Sequence, residues 1–64
     1  MPFISIKILK GHGKDKLDRI SAGVTRVVSE TTSIPAENIW VVLEEVEAER
    51  WYVQGKAVAQ TIGT

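Results

Sequence analysis

Few residues of this 64-residue chain can carry proton-transfer or covalent chemistry, and Pro2 heads them. Once Met1 is removed, the ring nitrogen of Pro2 becomes a free secondary amine. An amide nitrogen is not basic; an amine is. The apolar run Phe3-Ile4-Ser5-Ile6-Lys7-Ile8-Leu9 follows directly and would hold that nitrogen on a rigid strand. Most chain termini are mobile and solvated, so a basic group anchored there suggests a use for it. The same proline also reads as an ordinary strand-start residue with no ladder hydrogen to donate. Other chemistries fall away. The chain has no cysteine, which excludes a disulfide framework, a zinc-thiolate site and a catalytic thiol. A single histidine, His12, speaks against a dedicated transition-metal site. The glycine pair of Gly11-His12-Gly13 is too short and wrongly spaced for a phosphate-cradling loop. Glu44-Glu45 and Glu47-Ala48-Glu49-Arg50 read as a charged, solvated turn rather than an acid pair.

The elements that must position Pro2 follow from hydrophobic periodicity. Alternation predicts a first strand over about 2–9, with Ile4, Ile6 and Ile8 on one face and Phe3, Ser5, Lys7 and Leu9 on the other. Gly11 and Gly13 end it in a loop. A helix is expected from about Lys14 to Thr32, its apolar stripe formed by Leu17, Ile20, Val24, Val27 and Val28. Gly13 serves as N-cap, and Asp15 suits the positive end of the helix dipole. Thr31-Thr32-Ser33 weakens the helix, and Pro35 disfavours helical geometry at Ile34. Pro35-Ala36-Glu37-Asn38 predicts a single turn with proline at its first position. A second strand runs from about Ile39 to Val46, with Ile39, Val41 and Leu43 facing one way and Trp40, Val42, Glu44 and Val46 the other. Trp51-Tyr52-Val53 predicts a short strand, followed by Gln54-Gly55 and a tail to Thr64, which together make a small C-terminal hairpin.

Composition bounds the function class. Sixty-four residues make one small domain, 1–64, in the size range where a single core is marginal without association. Eight basic residues balance eight acidic ones, which leaves no electrostatic footprint for nucleic acid or an anionic membrane. No stretch is long enough to span a bilayer, and the N-terminus lacks the basic-then-apolar pattern of a secretory signal. A soluble, cytoplasmic protein is the expectation. Two strands bridged by a long helix are expected to be parallel with a right-handed crossover. The helix covers one face of such a sheet, and the other face also carries apolar side chains that a solitary chain would leave in water. An obligate oligomer follows from packing alone.

With these pieces in order, the chain resembles the 4-oxalocrotonate tautomerase family, the short members of the tautomerase superfamily. The resemblance spans essentially the whole length. It is carried by Pro2 opening a strand, the Leu9-Lys10-Gly11 turn, a helix of matching length and Pro35 before the second strand. The Glu44-Glu45 strand end and the Glu49-Arg50-Trp51 segment with Gly55 complete it. The resemblance implies a β-α-β protomer of the α/β (α+β) class, like macrophage-migration-inhibitory-factor folds, whose dimers join their sheets and assemble as a homo-hexamer of three dimers. It implies an isomerase acting on a small molecule, in which the amino-terminal proline is general base and no metal or organic cofactor takes part. Such a base works best with a pKa near the working pH. An ordinary α-amine lies at about 7.7–8.0. An apolar wall and nearby cations lower that value, because both disfavour the protonated form.

The departures from the family pattern bear on the substrate. Relatives acting on dicarboxylates carry an arginine where this chain has His12 and a second where it has Trp40. Arginine offers a planar, permanently charged fork to a carboxylate; histidine offers one hydrogen bond and partial charge, and tryptophan offers no charge. The family's aromatic pocket position is matched by Trp51. The implied substrate-binding set is therefore His12, Trp40 and Trp51 beside catalytic Pro2. Each also has a plainer reading: His12 as an exposed loop residue, Trp40 as filler of a subunit interface, Trp51 as core, and Arg50, Lys7 and Lys10 as surface residues, Arg50 also as a displaced cation. Three functions stay open. One is a tautomerase for an enol or keto acid less anionic than the family's diacid, such as a phenylenolpyruvate-like monoacid in place of 2-hydroxymuconate. The second is a Pro2-dependent dehalogenase- or decarboxylase-like lyase. The third is a non-catalytic oligomer or the inactive partner of a mixed hexamer.

Overall fold

The computed structural model of the chain describes residues 2–59; Met1 and the tail to Thr64 lie outside the described residues. Four strands and one long helix follow one another as β1 (Phe3–Leu9), α1 (Lys14–Thr32), β2 (Trp40–Val46), β3 (Tyr52–Val53) and β4 (Lys56–Ala57). β1 and β2 pair in parallel, with Phe3 opposite Trp40, Lys7 opposite Glu44 and Leu9 opposite Val46. β3 and β4 form a separate antiparallel hairpin, and Val58 N–H prolongs its ladder by donating to Trp51 O at 2.7 Å. The expected β-α-β order with a C-terminal hairpin is therefore the observed one. Each main strand starts one residue later than its alternation predicts, and Trp51 stands just before β3.

The helix bounds follow from local chemistry. Gly13 precedes α1 at φ 83°, a backbone region that favours glycine, and its carbonyl accepts from Leu17 N–H at 3.2 Å. At the far end Ser33 adopts the left-handed conformation, φ 66°, and its N–H donates to Ser29 O at 2.8 Å. The Ser29 hydroxyl donates to Ile34 O at 2.7 Å, which turns the chain away from the helix axis before Pro35. Pro35 itself caps the single 3₁₀ turn Ala36–Asn38, with φ −57° and ψ 143°, so it stands one residue before the turn rather than at its first position. Extended ψ is what its place between turn and helix requires. Leu17, Ile20, Val24 and Val28 are half-buried, whereas Val27 is exposed, so the covered stripe is narrower than the hydrophobic pattern suggests.

Side-chain alternation then divides the sheet. Ile4, Ile6, Ile8, Val41 and Leu43 are half-buried, with Val41 and Leu43 sharing a cavity with Leu17 of α1. On the face without a helix, Phe3, Trp40 and Val42 stay exposed, and Lys7 Nζ reaches Glu44 Oε1 at 2.6 Å. Among the described residues only Ile39 and Ala57 are buried hydrophobics. The protomer measures 42 × 25 × 14 Å with a radius of gyration of 14.6 Å. A compact chain of this length has a radius near 11 Å. A slab this thin has an inside on one face of its sheet only, and the other face is built as if to be covered.

Candidate active site

Pro2 is half-buried at the head of β1, and its carbonyl accepts the Trp40 N–H at 3.1 Å. That bond is the first rung of the parallel ladder, so the residue is fixed to β2 as well as to its own strand. The neighbours are apolar. Ile39 is 8% exposed one step before Trp40, and Phe3 lies directly opposite Trp40 in the register. Phe3 and Trp40 are 62% and 59% exposed, which leaves an aromatic pair open beside the proline. The sequence reading singled out Trp40 but not Phe3. The signal was there: with parallel strands both opening at the same end, the residue after Pro2 must stand beside the first residue of β2.

The opposite end of the sheet is charged. Lys10 N–H donates to Val46 O at 2.9 Å and closes the ladder; Gly11 N–H then donates to Glu45 Oε2 at 3.4 Å. His12 follows, exposed between two glycines with positive φ. A second 3₁₀ turn, Ala48–Arg50, leads into half-buried Trp51. Between these segments lies a cleft of about 400 Å³ lined by Lys10, Glu44, Glu45, Val46, Glu47 and Arg50. Glu44 and Glu45 lie near the end of β2, as the predicted strand to Val46 has them, with Glu44 paired to Lys7 across the ladder. Among the described residues no group of three or more His, Asp or Glu side chains is placed to hold a metal ion.

The structure thus brings together two of the four expected site residues, Pro2 and Trp40. His12 and Trp51 follow the other end of the sheet. Six residue steps of about 3.3 Å separate the Phe3–Trp40 and Leu9–Val46 pairs, roughly 20 Å along the strands. No small substrate spans that distance. A site that uses all four residues needs them from more than one copy of the chain.

Comparison with known proteins agrees with the fold. The family described as Tautomerase enzyme matches residues 2–61. A probable tautomerase of Bacillus cereus is 37% identical over 59 residues, covering 92% of this chain and 97% of its own. TomN, a 4-oxalocrotonate tautomerase homologue in the tomaymycin biosynthetic pathway, superposes with a TM-score of 0.93 at 30% identity, covering 98% of this chain and 97% of its own. A protein studied for trans-3-chloroacrylic acid dehalogenase activity superposes with a TM-score of 0.78 at 34% identity, covering 88% and 97% respectively.

Proposed function

The chain belongs to the tautomerase family, a family of isomerases, and from that premise we propose that it shifts a proton within a small unsaturated keto or enol acid, with the nitrogen of Pro2, freed by loss of Met1, as general base. The observation that carries this reading is the fixed, apolar seat of Pro2 between its own strand and Trp40. A neutral secondary amine there takes a proton from the enol oxygen. The electron pair moves through the conjugated system, and the ammonium returns the proton to carbon, which leaves the keto form. Proton and charge balance without an external acid. The apolar surroundings favour the neutral amine over the ammonium, which keeps the base available near neutral pH.

The substrate-binding roles go to His12, which donates one hydrogen bond, and to Trp40 and Trp51, which offer apolar walls. The roughly 20 Å between the two ends of the sheet makes assembly part of the same proposal. A closed homo-oligomer, a hexamer of three dimers, covers the helix-free face and lets one copy's His12 and Trp51 approach another's Pro2. The likeness to a protein with dehalogenase activity supports a second reading, a Pro2-dependent lyase acting on a small unsaturated acid. Both readings use the same nitrogen. Pro2→Ala keeps a primary amine but changes its basicity and placement, and is expected to lower kcat/KM for an aryl enol monoacid by about 10²–10⁴-fold. Turnover undiminished in that variant contradicts the base in either reading.

A further inference from the structure

The cleft at the charged end holds a cation, Arg50, that forms no ion pair among the described residues. Lys7 Nζ lies 2.6 Å from Glu44 Oε1 and Lys10 Nζ lies 3.5 Å from Glu47 Oε2, so two of the three wall carboxylates have ammonium partners. The third, Glu45, accepts the Gly11 N–H at 3.4 Å. Arg50 has no carboxylate partner among the described residues. Its backbone is nonetheless held: Arg50 N–H donates to Glu47 O at 2.8 Å and Trp51 N–H to Ala48 O at 3.3 Å. The guanidinium therefore sits on an ordered turn, on the wall of a cleft of about 400 Å³, and half-buried Trp51 follows it in the chain.

A guanidinium fork matches a carboxylate through two parallel N–H···O bonds, which an ammonium does not reproduce. The same cleft resists a second negative charge, because Glu45 has a backbone donor but, among the described residues, no ion-pair partner. We infer that Arg50 binds the carboxylate of the substrate and that Glu45 restricts the cleft to acids with a single carboxylate, their apolar remainder lying toward Trp51. This rests on the proton-transfer reading above and names the substrate class for it. The base reaching this cleft belongs to another copy of the chain, since the cleft's own Pro2 is at the far end of the sheet.

Binding tests the inference without turnover. Calorimetric titrations on Pro2→Ala protein compare trans-cinnamate, a neutral methyl cinnamate and the diacid trans,trans-muconate. Adding Arg50→Gln weakens cinnamate about ten- to hundredfold and leaves the ester unchanged. Arg50→Lys, which keeps charge and loses the fork, gives a smaller loss and serves if the glutamine variant does not fold. Glu45→Gln keeps an acceptor for Gly11 N–H and tightens muconate about three- to tenfold. The inference is overturned by absent cinnamate binding with Arg50 in place, by equal loss of acid and ester, or by muconate affinity indifferent to Glu45. Its failure is separate from that of the base. Undiminished turnover in Pro2→Ala overturns the base, and undiminished cinnamate affinity in Arg50→Gln overturns the anchor.

Discussion

The two ends of the β1–β2 sheet are made of the same ladder and have opposite chemistry. At the head, Pro2, Phe3, Ile39 and Trp40 form a neutral, apolar corner. At the tail, Lys10, Glu44, Glu45, Glu47 and Arg50 gather around a cleft. A general base benefits from the first environment, because removing water and charge favours the neutral amine. A small anionic substrate needs the second, because its carboxylate must exchange water for fixed donors. A parallel pair of strands keeps these ends apart, as every residue step adds about 3.3 Å. On the proposed reading, one protomer therefore holds the halves of two sites and the whole of none, in keeping with a sheet face left uncovered.

The largest expected effect comes from making the two ends alike. On the proposed reading, a dicarboxylate meets an imidazole at His12 and an uncharged ring at Trp40 in place of two arginines. Lacking two charge-assisted hydrogen bonds lowers efficiency on 2-hydroxymuconate, relative to an arginine-bearing site, by about two to four powers of ten, allowing for non-additivity. A phenylenolpyruvate-like monoacid loses less, since its ring packs against the tryptophans. His12→Arg together with Trp40→Arg should move preference toward the diacid, and steady-state rates on both substrates read the shift. Wild-type protein that prefers the diacid contradicts the account. Next in size is assembly. The open face carrying Phe3, Trp40 and Val42 predicts a closed oligomer, so sedimentation at micromolar concentration should show no stable folded monomer. Val42→Asp, a charge in the middle of that face, should dissociate the assembly and abolish activity together. A variant that dissociates and still turns over substrate would show that one protomer's ends suffice. The smallest effect is confined to the tail-end hairpin, whose turn residues Gln54 and Gly55 both have positive φ, 54° and 79°. Gly55→Ala is strained there and should cost about 1 kcal/mol in thermal or denaturant unfolding while leaving substrate preference unchanged.

The head of the sheet was legible in the sequence, and the tail largely was not. Pro2, the strand behind it and the helix from Lys14 to Thr32 are local signals: alternation, glycine and proline punctuation, a 3.6-residue period. Val27 shows where periodicity alone misleads. It is hydrophobic and near the stripe, yet it lies about 80° around the helix from Leu17 and remains exposed. Glu44 and Glu45 fall inside the predicted second strand, and their side chains read only as part of a solvated, charged patch. That Glu44 pairs with Lys7 depends on the two standing opposite one another, which only the register supplies. The cleft is less legible still, since Lys10, Glu45 and Arg50 come from three separate segments. Arg50 is exposed, as its surface reading has it, while the cleft it lines depends on segments that the sequence alone does not bring together.

The central claim is that a free Pro2 nitrogen is the base, and Met1 decides whether that nitrogen is free. The most direct measurement pairs intact mass with steady-state rate on one preparation, using protein processed to begin at Pro2 and protein that retains Met1. Activity in the processed form and loss of activity in the Met1-retaining form is the expected result. Equal turnover by protein whose mass shows Met1 on every molecule would contradict the account, because an amide nitrogen takes no proton.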